Sequence, residues 1–173
     1  MEKLTFIFVV SLAAQMAGAQ PATFSDGTLL LPQAALIDES NPVYYLDVQL
    51  ADNGDGTLSV VGGEQQNLVS VDTVDILIME SFPVQVSASV SGNLSVPCVE
   101  LLPAAVARKE NVFTVVLAES VLGPAESCIA VIEPFTESVS LDVLGLSAGT
   151  YTVVVNGVEA EFTLDTDNGP LPQ

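Results

Sequence analysis

Chemistry in this chain has to come from carboxylates, because little else is available. Its 173 residues hold 22 Asp+Glu against 3 Lys+Arg, with no His, no Trp and two Cys. Without histidine, Ser-His-Asp and Cys-His nucleophile systems are excluded, and so are His-ligated metal sites. A Ser-Lys dyad would have to use Lys109. That residue falls beside Arg108 in an expected exposed turn, where nothing desolvates the amine enough to lower its pKa. The carboxylates are plentiful, but no pattern selects a working pair. Asp72-Thr73-Val74 lacks the glycine on which the Asp-Thr-Gly turn of an aspartic protease depends. A glycosidase would use aromatic platforms for sugar rings, and here the tyrosines are Tyr44, Tyr45 and Tyr151, with Tyr44 and Tyr151 expected on inward faces. Neither an enzyme nor a cofactor is expected.

One segment, Ala51-Asp52-Asn53-Gly54-Asp55-Gly56-Thr57, looks like the start of a calcium loop. With Gly56 at the obligatory sixth position, Asn53 and Asp55 fall on ligand positions. The first and twelfth positions are then Ala51 and Gly62, which offer no carboxylate. A hairpin turn is the better reading, and Asn53 and Asp55 stand as weak Ca²⁺ candidates. Asp165, Asp167 and Asn168 form a looser oxygen cluster with the same weakness. Asn93-Leu94-Ser95 matches the N-glycosylation acceptor pattern.

Residues 1–19 have the layout of a secretory signal peptide: Lys3, an apolar run from Leu4 to Ala14, and the small residues Ala17-Gly18-Ala19. The run is too short to span a bilayer, and no later run approaches the required length. Removing the segment takes one acid, Glu2, and one base, Lys3, so the net charge of −19 is unchanged. A secreted or periplasmic location follows. It favours a disulfide between Cys98 and Cys128, the alternative being two free buried thiols. So anionic a surface repels nucleic acid and anionic lipid, and it favours an unknown protein or cationic ligand, or weak Ca²⁺ association.

The elements that position these residues are strands. Val84, Val86, Ala88 and Val90 alternate with polar residues, as do Val139, Leu141 and Val143, and also Tyr44, Leu46, Val48 and Leu50. Period-2 alternation of this kind marks strands with one face on a core. Val112–Leu117 is apolar on both faces and suits a central strand. Asn156-Gly157 between Tyr151–Val155 and Val158–Leu164 is a strong hairpin signal. Two more hairpins are expected: Ala104–Ala107 to Val112–Leu117 through residues 108–111, and Val43–Leu50 to Leu58–Val61 through residues 53–56.

The alternation changes phase around Asp72-Thr73, which suggests a bulge or an element boundary. The resulting division is a signal peptide (1–19), an N-terminal β-hairpin element (20–66), an immunoglobulin-like sandwich (67–165) and a disordered acidic tail (166–173). The first element is too small to fold alone, so it is expected to dock on the sandwich or extend its sheet. The fold class is all-β, an immunoglobulin-like antiparallel sandwich with an N-terminal β-hairpin element.

Leu146-Ser147-Ala148-Gly149-Thr150-Tyr151 resembles the tyrosine corner of immunoglobulin-like and fibronectin type III-like domains, with Leu146, Gly149 and Tyr151 as its structural residues. No Trp accompanies the cysteines and no Cys follows two residues after the tyrosine, which sets antibody-type domains aside. Residues 25–61 resemble a β-hairpin segment of secreted proteins from environmental bacteria. Residues 84–164, with Cys98, Cys128 and AGTYTVVVNGVEAEFTL, are similar to exported bacterial β-sandwich modules. The resemblance brings no catalytic residues. Nothing functional carries over from it, and the expectation is a non-catalytic binding or surface/periplasmic assembly protein, contacting its partners through sandwich ends or a strand edge. A protease-inhibitor-like sandwich and, third, a carboxylate-dependent hydrolase are the alternatives.

Overall fold

The computed structural model describes residues 21–36, 42–124 and 126–169. The expected signal peptide and residues 170–173 lie outside these. The strands are β1 (Thr23–Ser25), β2 (Thr28–Leu36), β3 (Val43–Asp52), β4 (Leu58–Leu68), β5 (Ser70–Met79) and β6 (Gln85–Leu94). They continue with β7 (Ala105–Lys109), β8 (Val112–Val116), β9 (Ala118–Glu119), β10 (Glu133–Leu141), β11 (Gly149–Val155) and β12 (Val158–Leu164). The described residues are all-β. A three-stranded sheet (β10-β6-β5) packs on a four-stranded sheet (β12-β11-β8-β7), and a further sheet has the order β1-β2-β3-β4-β9.

The sandwich forms where alternation gives each sheet one apolar face. Val86, Ala88 and Val90 of β6 meet Val153 and Val155 of β11 and Phe113 and Val115 of β8 in a single core. All strand pairs of the sandwich are antiparallel except β8 with β11, which run parallel. The hairpins expected at residues 53–56, 108–111 and 156–157 join β3 to β4, β7 to β8 and β11 to β12. Asn156 and Gly157 take φ of 46° and 92°, the left-handed conformations that a two-residue turn of this twist requires. Asp26-Gly27 does the same between β1 and β2, at φ 50° and 74°.

The phase change near Asp72 is a bulge. Val71 pairs with Gly92 and Thr73 with Ser91, leaving Asp72 as the extra residue. Both Val71 and Val74 consequently pack on the core. The Asp72 carboxylate accepts a hydrogen bond from the Asn93 side chain at 2.7 Å, so the amide of the glycosylation-like motif is already engaged.

The N-terminal element is more than a hairpin. β1 to β4 form a meander, and β9 joins it from the sandwich side by pairing with Asn67 and Leu68. The division placed at residues 66/67 falls inside β4. The joint itself is Val69, the single residue between β4 and β5. Its counterpart is Leu117, the single residue between β8 and β9, and Val69 N–H donates to the Leu117 carbonyl at 3.2 Å. The Asn156 side chain fastens both crossings. Its amide donates to the Leu117 and Val69 carbonyls at 2.7 and 3.0 Å, and its oxygen accepts from Leu117 N–H at 3.0 Å. The turn residue of the hairpin is therefore also the staple between layers.

Val112–Leu117 is apolar on both faces for the same reason. Phe113, Val115 and Leu117 enter the sandwich core, while Val116 turns to the N-terminal sheet and packs with Tyr44 and Ala118.

The expectation of a disordered tail needs correction up to residue 169. Asn168 is 1% exposed and sits in the sandwich. Its side chain accepts from Val84 N–H at 2.7 Å and donates to the Val84 and Val143 carbonyls at 2.9 and 3.0 Å. Its backbone pairs with Leu146 and Gly145. A buried asparagine with every polar group partnered holds its segment in place.

Candidate functional site

The residues singled out as chemically interesting serve turns and joints. Asn53 donates to the Thr57 and Ser59 hydroxyls, both at 2.9 Å, and its side-chain oxygen accepts from Ser59 at 3.0 Å. Asp52 accepts from Gly54 N–H at 2.8 Å. Asp55 accepts from both the N–H and the hydroxyl of Thr57, at 2.9 and 2.5 Å, and these bonds hold its carboxyl below the usual carboxylate range. The two weak Ca²⁺ candidates are thus spent on closing the β3–β4 turn. Asp167 likewise caps Ala148 N–H at 2.8 Å.

Cys98 and Cys128 are joined by a disulfide, with Cα atoms 6.0 Å apart. It ties the segment after β6 to the long connection between β9 and β10. Tyr151 donates to the Ser147 carbonyl at 2.8 Å, four residues back, with Leu146 buried beneath it and Gly149 opening β11 at φ 156°. Its ring stacks on Phe162 with centroids 5.4 Å apart. Both features are architectural.

A buried carboxylate that sequence reasoning missed is Glu119, 3% exposed, which accepts from Ser95 N–H at 2.8 Å. It belongs to β9, the strand that the sandwich lends to the N-terminal sheet. Gln66 of β4 is also buried, accepting from Val121 N–H at 3.2 Å. These groups weld the layers together.

One surface that these joints and turns do not consume is the outer face of the N-terminal sheet. The β3 strand explains how it arises. Asp47 adopts φ 51°, and the pairing of β3 with β4 shifts on both sides of Gln49. The side-chain parity reverses there. Tyr44 and Leu46 pack toward the sandwich, whereas Tyr45, Val48 and Leu50 all line the opposite face. The sequence had placed Tyr44, Leu46, Val48 and Leu50 on one face, so that assignment is corrected by the irregularity at Asp47. Pro32 of β2 lies across from Asp47, between the pairs Leu31–Val48 and Gln33–Leu46.

The outcome is an apolar groove of about 600 Å³, walled by Leu31, Leu36, Tyr45, Val48, Leu50 and Val60. Gly62 and Gly63 form part of its lining, and having no side chains they leave it concave. A Cβ on Gly63 would already meet Val48 at 3.4 Å. Leu36 and Val60 are 63% and 73% exposed. Exposed aliphatic side chains clustered on a concave face mark an interaction surface more than a scattered exposed leucine does. Tyr44 on the reverse side fixes the sheet: its hydroxyl donates to the Pro103 carbonyl at 2.9 Å, and burial pushes its pKa up.

A family model described as the ORF11 beta-sandwich domain matches residues 88–164. The match runs from the middle of β6 through β12, so the similarity covers most of the sandwich together with β9 and leaves β1 to β4 and the groove outside. No curated protein and no solved structure matches the chain.

Proposed function

We propose that this protein is exported and acts by binding, as a component of a surface or periplasmic assembly, and not as an enzyme. One observation carries the reading: an apolar groove opens on the face of the N-terminal sheet turned away from the sandwich. The disulfide suits an oxidising compartment. The carboxylates of Asp52, Asp55, Glu119 and Asp167 accept from backbone N–H groups at turns and joints, which is structural work. With a net charge of −19, the chain favours a basic partner protein and disfavours nucleic acid and anionic membranes.

Two measurements test this. The mass of the protein recovered from the exported fraction of its source should correspond to a chain beginning at Gln20 with the disulfide intact. A photo-crosslinking residue placed at Val60 should capture one defined basic protein in that fraction. The same residue at Leu144, exposed on the sandwich, should not. A chain retained with residues 1–19 attached would sink export. Identical capture from both positions, or none from Val60, would sink binding through the groove.

A further inference from the structure

Resting on that reading, we infer that the partner engages as an added β-strand: an extended, apolar segment with basic flanks that pairs with the outer edge of β2. β1 pairs with Thr28, Leu29 and Leu30 and ends there. Among the described residues nothing pairs with the same edge of β2 from Leu31 to Leu36, although the strand continues through all nine of its residues. An uncovered edge presents backbone N–H and C=O groups ready to template another strand. Pro32 lies in this stretch and offers no N–H, so an added strand would draw on the N–H and C=O groups beyond the proline, from Gln33 to Leu36.

The edge that the described residues leave unpaired adjoins the groove. Leu31, Ala34 and Leu36 belong to β2 and line the groove. A strand laid along that edge would place alternate side chains against them. Main-chain pairing would then supply affinity, and the groove would select apolar side chains at every second position, which is the logic of strand addition.

Charge decides between occupants. A second copy of this chain would bring a second net charge of −19 to the surface, and like-charge repulsion opposes that pairing. Lysines or arginines flanking an apolar segment would be attracted instead. Asp47 of β3 is exposed and available to them.

The experiment uses the whole exported chain and two short synthetic peptides. Both alternate valine and threonine; one carries paired lysines at each end and the other paired glutamates. Binding is followed by calorimetry, and backbone amide exchange by NMR. The lysine-flanked peptide should bind and slow amide exchange within residues 31–36. Its affinity should fall at least about tenfold in Val60→Asp and, independently, in Leu36→Asp, each checked for an unchanged circular dichroism spectrum. The glutamate-flanked peptide should bind at least about tenfold more weakly. Failure of the lysine-flanked peptide to bind, or equal binding of both peptides, would overturn the inference. So would binding that leaves residues 31–36 unprotected. If crosslinking at Val60 still captured a basic protein, the binding reading would survive while strand addition fell.

Discussion

In the sandwich, apolar faces meet across a filled interior. Phe113, Tyr151 and Phe162 lie with ring centroids 5.4 to 6.2 Å apart, and Val90, Val115, Val153 and Val155 are fully enclosed. In the N-terminal sheet only one face meets such a partner. Tyr44 is enclosed there against Val116 and Ala118, while Val60 and Leu36 on the other face stand mostly in water. Hydrophobic burial scales with the apolar area withdrawn from water. The sandwich therefore carries the stability, and the N-terminal sheet leaves apolar surface uncovered. The family similarity falls on the first of these regions and the groove on the second.

The sharpest way to break this division is to damage the sandwich alone. Gly92 of β6 sits at the Asp72 bulge, where a Cβ would enter the space of the Ser70 carbonyl oxygen and come within 2.9 Å of the Phe135 ring. Neither neighbour is a flexible chain end, so β5 has to move. Gly92→Ala is expected to cost about 3 kcal/mol, the upper range for overpacking a filled core. Urea denaturation should show both layers unfolding earlier, because the N-terminal sheet depends on β9, Val69 and Asn156 for its place. A loss below about 0.5 kcal/mol, the ordinary range for a surface change, would mean the sandwich core does not govern stability.

A smaller lesion at the joint should separate the layers. Tyr44→Phe removes the hydrogen bond to the Pro103 carbonyl, at an expected cost of about 1 kcal/mol. Amide exchange should rise in β2 to β4 and stay unchanged in β6 and β11. The pH dependence has a definite sign. Burial raises the Tyr44 pKa, so the folded state favours the neutral phenol. That contribution is complete below the ordinary tyrosine pKa of about 10 and is lost as pH rises through the higher folded value. The alkaline loss should be reduced in the phenylalanine variant. Equal exchange changes in both layers would show that they unfold as one unit.

The two strand irregularities explain how much of this was legible beforehand. At Asp72 the sandwich has one apolar and one polar face, so a bulge leaves a visible phase change in the sequence. At Asp47 the sheet has apolar residues on both faces. Tyr44, Leu46, Val48 and Leu50 then keep an unbroken alternation across a reversal of direction. The fold class was legible because period-2 patterning and Asn-Gly chemistry are local. The groove was not, since it depends on a positive φ at Asp47, a non-glycine residue. Asn156 and Asn168 were similarly opaque as staples: their partners lie up to 87 residues away, and a turn-like or tail-like context conceals a buried amide. The Ser25-Asp26-Gly27-Thr28 turn carries the same kind of signal as Asn156-Gly157, although no hairpin was expected there.

The smallest effect belongs to the β3–β4 turn, at the far end of the exposed sheet. Thr57 lowers the Asp55 pKa through two hydrogen bonds to its carboxylate. The contribution of this turn is therefore present above the ordinary carboxylate pKa and disappears as pH falls through the lower folded value. Asp55→Asn should quicken amide exchange at Thr57 and remove its acid dependence, with no measurable change at Tyr44 or in the sandwich. The same turn tests the remaining metal reading. Asn53 and Asp55 are occupied by Thr57 and Ser59, so Ca²⁺ and Mg²⁺ should give equal, small shifts in thermal stability, as expected when either ion merely screens a strongly anionic surface. A Ca²⁺-selective shift abolished by Asp55→Asn would show instead that the turn opens to coordinate metal, and would make this end of the N-terminal sheet a metal-binding surface distinct from the groove.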